Sequence, residues 1–223
     1  MCSIYTVSTN PSLVGKYFAQ EIRGSAQRQS NNVRITEETM VITADEPNTI
    51  QYMHFGLVAT QSPTFKSEYS TFNAKKENLL SSRLWAPLFL GHMRCLVLAD
   101  GFTEPQKVKG KTQHYRFTVP GQELITFAGL YAWWYAPYTK DKFGSFAIIT
   151  VPSNEQVGEV HEKGRMPAIL DVNQRDEWLS MQLQPQEYLD LLQTWPDSRM
   201  KREEYDPFDK KKLPPPNNLE LPF

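Results

Sequence analysis

Apolar and polar side chains alternate along many short segments of this 223-residue chain, which is the pattern of half-buried β-strands. Residues 2–8 and 33–43 alternate in this way. Five later segments are rich in β-branched and aromatic side chains and are separated by Gly, Pro, Asp and Asn; they span residues 49–59, 93–102, 114–119, 123–134 and 145–151. The pattern therefore predicts a multistranded β core.

Three other segments carry apolar residues at helical spacing. In residues 12–22 these are Leu13, Tyr17, Phe18 and Ile22, and Gly24 follows as a stop signal. Leu, Trp and Phe recur at similar spacing in residues 75–89 and 185–195.

The chain length predicts the number of domains. A single hydrophobic core can serve chains of up to roughly 250–300 residues, so for 223 residues we expect a single α+β domain with peripheral helices. Residues 206–223 combine a lysine run with three prolines, so we predict a domain at 1–205 and a Pro/Lys-rich extension after it.

Charge and cysteine content narrow the classes of function. The net charge is −1, so any DNA-binding site must be a local basic patch rather than a global basic field. Two cysteines are too few for a disulfide framework or a cysteine-based zinc site. The apolar runs are shorter than the about 20 residues that cross a bilayer, and the first residues lack a signal-peptide pattern. We therefore expect a cytoplasmic, monomeric protein without membrane contact.

Cys2 carries the most specific candidate chemistry. Removal of Met1 would leave an α-amine and a thiol on one residue, a 1,2-aminothiol. Such an amine, with a pKa near about 7.7–8.0, is partly neutral at physiological pH and condenses with an aldehyde, after which the thiol closes a five-membered thiazolidine. Taken alone, a cysteine at position two is more often an accident of sequence.

The remaining thiol, histidine and tryptophan candidates have structural explanations. Cys95 lies in an apolar run typical of a buried, inert thiol. The adjacent Trp133 and Trp134 lie in a strand-like segment, where core packing is more common than base stacking. The spacing of His54, His92 and His114 does not suit a metal site, and we expect neither a metal nor a cofactor.

Several segments, in order, resemble the SRAP (SOS-response-associated peptidase) family. Residues 1–5 resemble its MCGRF opening, 72–77 (FNAKKE) its NARxE motif, and 94–104 (RCLVLADGFTE) its RCLVPADGFYEW motif. Residues 127–134 (FAGLYAWW) and 145–170 (SFAIITVPSNE to HEKGRMPAIL) resemble two further family segments. The resemblance spans about residues 1–190 and implies a curved, mostly antiparallel, barrel-like β core.

The resemblance implies a function and four site residues. Family members cross-link a mature N-terminal cysteine to abasic sites in single-stranded DNA, so Cys2 is expected to be the nucleophile. Asn73 is expected to hold the amine or the sugar, Glu104 to act as general acid and base, and His161 to donate to sugar oxygens while titrating near neutrality. Ordinary structural roles for these three side chains are the alternatives.

The expected DNA contacts are Lys75, Arg83 and Arg165, which match arginine or arginine-like positions of the family and would bind phosphates. Lys107, Lys109 and Lys111 alternate along one segment, so they either add to this patch from one face of a hairpin or form a solvated edge. The preferred ligand is single-stranded DNA containing abasic sites.

The sequence departs from the family pattern near the expected DNA groove. The departures are Ser3, Ile4, Lys75, Pro105 and the Phe55-Gly56-Leu57 segment. A lysine lacks the bidentate fork of arginine, so DNA binding is less well defined than the covalent chemistry. Two alternatives stay open: an N-terminal-cysteine peptidase or amidohydrolase, and a divergent relative that binds without cross-linking. A weak lyase activity is also compatible with an imine intermediate.

Overall fold

The computed structural model describes residues 3–7, 14–15, 18, 21–23, 32–66 and 70–208. Fourteen strands and four short α-helices lie within these ranges. The strands are β1 (Ile4–Thr6), β2 (Glu21–Arg23), β3 (Asn32–Arg34), β4 (Glu38–Thr43), β5 (Glu46–Phe55), β6 (Asn73–Lys75), β7 (Arg94–Ala99), β8 (Gly101–Val108), β9 (Lys111–Thr118), β10 (Ile125–Tyr135), β11 (Lys142–Pro152), β12 (Arg165–Pro167), β13 (Ile169–Leu170) and β14 (Lys201–Glu204). The helices are α1 (Trp85–Leu90), α2 (Glu155–Gly158), α3 (Arg175–Leu179) and α4 (Pro185–Leu191), with 3-10 turns at Lys76–Asn78, Val172–Gln174 and Asp197–Arg199.

Five strands close into a barrel. Strands β5, β4, β7, β10 and β11 pair antiparallel in that order, and a parallel pairing of β11 with β5 closes the ring. A second sheet has the order β14-β9-β8-β1-β3. The prediction of a curved, mostly antiparallel, barrel-like core with peripheral helices is confirmed.

A cluster of buried aromatic rings joins the second sheet to the barrel. Tyr5 of β1 packs edge-on against Phe55 and Phe127, with ring centroids 5.5 Å and 5.9 Å away. Phe102 of β8 stacks on Phe117 at 5.0 Å. Removing a buried aromatic ring costs about 3–5 kcal/mol. This cluster therefore fixes β1 and β8 against the barrel, which matters because both strands lead to the site described below.

The glycine of β10 shows how tightly the barrel interior is packed. A Cβ atom at Gly129 would lie 2.8 Å from the Cys95 sulfur and 3.0 Å from the Ala147 carbonyl oxygen. No ordinary side chain tolerates contacts this short, so glycine is required where β7, β10 and β11 meet.

Three predicted elements differ from the structure. The predicted helix at 12–22 is wrong at its end, because Glu21–Arg23 is a strand that pairs parallel with Thr49–Gln51 of β5. Only Val14, Gly15 and Phe18 of its earlier part are described, and the Phe18 N–H donates to the Val14 carbonyl at 2.8 Å as in a helical turn.

The predicted strand at 33–43 is two strands, β3 and β4. A turn separates them, in which the Glu37 N–H donates to the Arg34 carbonyl at 3.0 Å and Thr36 adopts a left-handed φ of 77°.

The predicted helix at 75–89 is also interrupted. The Ser82 hydroxyl accepts from the N–H groups of Leu84 and Trp85 at 3.2 Å and 3.3 Å, so the α-helix begins only at Trp85.

The residues after β14 pack on the second sheet as far as the structure describes them. The Tyr205 hydroxyl donates to Asn32 at 2.8 Å, and the Asn32 amide donates to the Pro207 carbonyl at 3.2 Å. The Phe208 ring lies 5.4 Å from His114. The predicted extension beyond Phe208 lies outside the described residues. In the described ranges, no helix has both the length and the apolar content to cross a bilayer.

Candidate active site

Glu104 lies on β8 directly beside the strand that begins the chain. β1 pairs antiparallel with β8, with Ile4 opposite Thr103, so the register brings Ser3 next to Glu104. The Glu104 side chain is only 1% exposed although it is ionisable. Cys2, the predicted nucleophile, lies outside the described residues, and its neighbour Ser3 is the first one described.

The segment Asp100-Gly101-Phe102 fixes the strand that carries Glu104. The Asp100 N–H donates to the Thr6 carbonyl at 2.8 Å, and Arg116 of β9 donates to the Asp100 carboxylate at 2.9 Å. A Cβ atom at Gly101 would lie 2.6 Å from the Phe117 carbonyl oxygen, so only glycine permits this approach of β8 to β9. With Phe102 in the core, alternation directs Glu104 to the same face of the strand.

His161 reaches the site from the end of helix α2. Asn154 caps this helix, because its side-chain oxygen accepts from the Val157 N–H at 3.0 Å while its amide donates to the Trp195 carbonyl at 3.0 Å. The His161 N–H continues the helical pattern by donating to the Val157 carbonyl at 2.8 Å. The His161 side chain therefore follows a short helix whose cap, Asn154, is itself hydrogen-bonded to the main chain at Trp195.

Glu104 and His161 form a close, buried pair. His161 Nε2 lies 3.9 Å from Glu104 Oε2. This separation is too long for a direct hydrogen bond but allows both groups to bond one small polar atom placed between them.

Burial moves the two pKa values in opposite directions. Burial raises the pKa of Glu104 from 4.5 to about 7, because the charged carboxylate loses its hydration. Burial lowers the pKa of His161 from 6.5 to about 4, and the positive charge of Lys163 acts in the same direction. Our expectation that His161 titrates near neutrality is therefore wrong, and Glu104 is the group that titrates there.

A main-chain hydrogen bond sets the tautomer of His161. The Arg165 N–H donates to His161 Nδ1 at 3.2 Å, so Nδ1 is the acceptor and the neutral ring carries its proton on Nε2. This Nε2–H is on the side of the ring that lies near Glu104.

Asn73 lies at the start of β6, which pairs parallel with β11 through Ile148. The residue is 9% exposed, and its side-chain amide donates to the Phe72 carbonyl at 2.9 Å. Within the described residues its buried side-chain oxygen has no hydrogen-bond partner, and Asn73 makes no hydrogen bond to Glu104 or His161. The oxygen can therefore accept a hydrogen bond from one further donor.

The three predicted phosphate contacts differ in accessibility. Lys75 ends β6 and is exposed, and Arg83 is exposed at the rim of a groove of about 580 Å³ lined largely by apolar side chains. The Arg165 guanidinium donates to both carboxylate oxygens of Glu77, at 2.7 Å and 3.0 Å, and to the Thr150 carbonyl. A phosphate contact by Arg165 would have to share these donors with Glu77.

The hairpin lysines do not share one face, contrary to our expectation. β8 and β9 pair Lys107 with Thr112 and Val108 with Lys111, and the turn lies at Lys109 and Gly110, whose φ values are 49° and 80°. Because cross-strand partners share a face, Lys111 lies on the face of Val108 and Glu104, whereas Lys107 lies on the opposite face. The two-residue turn therefore places Lys111 on the face opposite to the one that simple alternation along the sequence predicts.

The departures from the family pattern have different structural consequences. Phe55 and Leu57 are fully buried, and Phe55 stacks on Phe146 at 5.2 Å, so these residues belong to the core rather than to a DNA groove. Ile4 and Pro105, in contrast, lie on the adjacent strands β1 and β8 that lead to Glu104.

The structural explanations for Cys95 and Trp134 fit the observed burial, whereas Trp133 is only partly buried. Cys95 is fully buried, and burial raises its thiol pKa far above the usual value. Trp134 is buried and its indole N–H donates to the Ser62 carbonyl at 2.8 Å. Over the described parts of the chain, no three His, Cys, Asp or Glu side chains cluster in a way that would hold a metal ion.

Two residues near the site were not predicted from the sequence. Glu77 ends the FNAKKE segment and pairs with Arg165, and Asn154 caps the helix that presents His161. The Ser153-Asn154-Glu155 sequence is a recognisable helix-start signal. The pairing of Glu77 with a residue 88 positions away has no such local signal.

Comparisons with known proteins agree with this architecture. The sequence profile of the family described as "SOS response associated peptidase (SRAP)" matches residues 1–206. The chain is 34% identical over 140 residues to "Abasic site processing protein HMCES" of Xenopus tropicalis, covering 53% of this chain and 41% of that protein. It is 30% identical over 168 residues to "Abasic site processing protein YoqW" of Bacillus subtilis, covering 73% and 72%. The chain thus spans less than half the length of the vertebrate relatives that it matches.

A solved structure shares the fold. A crystal structure of a protein from Bacteroides thetaiotaomicron superposes with a TM-score of 0.81 at 19% identity, covering 94% of this chain and 97% of that one. A likeness at this identity concerns the fold alone. The match of the family profile over residues 1–206 shows that the chain belongs to the SOS response associated peptidase (SRAP) family.

Proposed function

We propose that this protein processes abasic sites in single-stranded DNA by joining its mature Cys2 covalently to the lesion. The observation that carries this proposal is the buried Glu104–His161 pair beside strand β1, whose first residue, Ile4, follows Cys2 by two positions. Two relatives whose names describe abasic site processing support the choice of substrate.

The proposed chemistry balances without a cofactor or metal. The Cys2 amine adds to the aldehyde carbon of the ring-opened sugar, and the resulting carbinolamine loses water to give an imine. The Cys2 thiol then adds to the imine carbon, its proton passes to the nitrogen, and a thiazolidine closes. One water leaves for each adduct formed, and the DNA strand stays intact.

Glu104 is suited to move protons in this sequence. With a pKa of about 7, comparable fractions of the protein hold Glu104 as acid and as carboxylate at physiological pH. The acid form can protonate the departing hydroxyl, and the carboxylate can accept the proton of the incoming thiol or amine.

His161 takes a complementary role as a fixed, neutral donor. Its lowered pKa keeps the ring uncharged at neutral pH, and its Nε2–H can donate to a sugar oxygen held between it and Glu104. We thus keep the role proposed from the sequence, donation to a sugar oxygen, but without titration of the His161 ring.

Asn73 and the basic residues would hold the substrate. The buried Asn73 oxygen can accept from the Cys2 amine or from a sugar hydroxyl. Lys75 and Arg83, both exposed, would contact phosphates, with Arg165 as a third contact if it shares its donors with the DNA.

The proposal is tested by removing the thiol and keeping the amine. Cys2→Ala should form only a transient imine, trappable by borohydride, and should lose the stable adduct. Cys2→Ser should behave likewise, because an oxazolidine is much less stable than a thiazolidine. Cys95→Ala removes the one other thiol in the sequence and is the matched control that keeps the adduct. Stable cross-linking by Cys2→Ala would overturn the proposal.

Two other activities are outcomes of the same experiments. A lyase reaction would appear as strand cleavage at the abasic site, because the imine permits β-elimination. A peptidase, as the family description suggests, would cleave peptides in a Cys2-dependent manner and leave abasic DNA unmodified. We propose that the protein acts as a monomer in the cytoplasm and is associated with the nucleoid when bound to DNA.

A further inference from the structure

Glu77 holds Arg165 in a two-point contact that is partly shielded from water. Arg165 Nη1 and Nη2 donate to the two Glu77 oxygens at 2.7 Å and 3.0 Å. The Arg165 side chain is 12% exposed, whereas that of Glu77 is 51% exposed. A bidentate pair in this setting fixes the direction of the guanidinium as well as its distance. The Thr150 carbonyl accepts from the same guanidinium and fixes it further.

The main chain of Arg165 contacts the site directly. Its N–H donates to His161 Nδ1 at 3.2 Å, and the Gly164 N–H donates to the His161 carbonyl at 2.8 Å across a turn. Gly164 adopts a left-handed φ of 56°, a conformation that suits glycine. The position of Arg165 therefore decides which ring nitrogen of His161 is the acceptor.

Glu77 belongs to a different element from His161. It lies in the 3-10 turn Lys76–Asn78, which directly follows the strand that begins with Asn73. The neighbouring Lys76 anchors this turn by donating to the Leu192 carbonyl at 2.8 Å. Contact between Glu77 and Arg165 thus joins the segment of Asn73 to the segment of His161.

We infer that Glu77 is a positioning residue of this site, which acts through Arg165 to hold His161 with its Nε2–H toward Glu104. The inference rests on the proposed function for its kinetic consequence, but the tautomer of His161 is measurable without DNA. Glu77 itself is not a catalytic residue, since it contacts Arg165 rather than the reacting atoms.

The test removes the Glu77 carboxylate and measures the tautomer of His161 and the rate of adduct formation separately. In Glu77→Ala, ¹⁵N NMR of the His161 ring should change from a single Nε2–H tautomer to a mixture. The rate of adduct formation at saturating abasic DNA should fall by up to about 100-fold, as for other changes that misplace a reacting group. Affinity for undamaged single-stranded DNA should stay equal or rise, because Arg165 loses its anionic partner.

Two further variants make the result decisive. Glu46→Ala removes the carboxylate of a different Arg–Glu pair, with Arg23 at 2.5 Å, and should change neither the tautomer nor the rate. Glu77→Gln keeps the side-chain volume and one acceptor oxygen, so it should give an intermediate effect and remains informative if Glu77→Ala does not fold.

The outcomes separate this inference from the proposed function. If Glu77→Ala raises both DNA affinity and rate, Glu77 merely competes with phosphate for Arg165 and the inference is wrong. An unchanged tautomer and rate in Glu77→Ala and Glu77→Gln would also overturn it. If the wild-type protein forms no adduct, the proposed function fails, while the NMR result still decides whether Glu77 positions His161.

Discussion

Protons on the Glu104–His161 pair are distributed differently from those on the same side chains in water. At pH 7 a solvated glutamate is ionised and a solvated histidine is partly protonated. Here burial raises the Glu104 pKa to about 7 and lowers that of His161 to about 4, so the carboxyl group becomes the titrating member. The pair can therefore transfer a proton at Glu104 while His161 stays a neutral donor.

Glu104→Gln should slow adduct formation and leave the product unchanged. The variant keeps the Cys2 amine and thiol but lacks a group that exchanges protons, so the rate should fall about 10²–10⁴-fold. Single-turnover cross-linking followed over time measures this. Glu177→Gln, at an exposed position on α3, is the matched control. An unchanged rate in Glu104→Gln would refute the proton-transfer role.

The same substitution should change how stability depends on pH. Because the folded-state pKa of Glu104 is about 7 and the unfolded value is 4.5, the folded protein binds the extra proton between these pH values and loses stability as pH rises through them. The loss is at most about 3 kcal/mol. Glu104→Gln cannot lose this proton, and His161 is present in both proteins. The free energy of unfolding of the variant, measured with urea, should therefore increase relative to that of wild type between pH 5 and pH 8. The same difference in free energy of unfolding at both pH values would contradict the raised pKa.

The family motifs predict which residues form the site, Cys2, Asn73, Glu104 and His161, but they do not predict the environment of those side chains. Glu104 sits in a segment that resembles a solvated turn. Its burial depends on β1 and β8 pairing across about 100 residues, which no local pattern reports. Glu77 was overlooked for the same reason, since its partner Arg165 is distant in sequence.

At the scale of elements, the β8–β9 hairpin determines which basic side chains accompany Glu104. Strand β8 carries Glu104 and continues into an exposed ribbon whose turn is Lys109-Gly110. Gln106, on the face of Glu104, donates to the Glu159 carbonyl at the end of helix α2. Lys111 shares this face, so the hairpin directs one lysine toward the side of the ribbon near His161.

Lys111→Gln should therefore weaken DNA binding more than Lys107→Gln. The two changes remove the same charge from the same hairpin, but only Lys111 lies on the Glu104 face. For Lys111→Gln, the slope of log affinity against log salt for single-stranded DNA should decrease in magnitude by about 0.7, the value for one lost phosphate contact. Titrations of undamaged oligonucleotides at several salt concentrations measure it. Equal effects of the two variants would indicate a solvated ribbon without directional contact.

Elements were predicted well where burial is regular and poorly where side chains compete with the backbone. Strand β10 buries nearly every side chain, and β11 buries the consecutive run from Ser145 to Val151, so both strands are predicted from continuous, mostly apolar segments. The segment 12–22 has helical spacing, yet its end pairs with β5 instead. The Ser82 hydroxyl accepts from the N–H groups of Leu84 and Trp85 as a helix cap does, so α1 begins after Ser82 and not at residue 75.

The whole molecule carries almost no net charge, so the proposed DNA binding must depend on a local cluster of cations. The barrel closure through the β5–β11 pairing joins residues about 90 positions apart. Such pairings are invisible to periodicity, and the barrel-like shape was expected only from the family resemblance.

Binding to undamaged single-stranded DNA should be weak and sensitive to salt. Three or four phosphate contacts predict a slope of log affinity against log salt of about −2 to −3. Affinity should then fall about 20- to 50-fold between 50 mM and 200 mM salt. Fluorescence anisotropy across this range measures it, and binding that does not change with salt would exclude a phosphate-based patch.

The most direct test of the account is the mass of the product formed with abasic DNA. Protein lacking Met1 is incubated with matched single-stranded oligonucleotides that contain or lack one abasic site, and the products are denatured and weighed. We predict a denaturation-resistant species with the abasic oligonucleotide alone, whose mass equals protein plus DNA minus one water. No adduct, or an adduct on the undamaged oligonucleotide as well, would contradict covalent capture of abasic sites by Cys2.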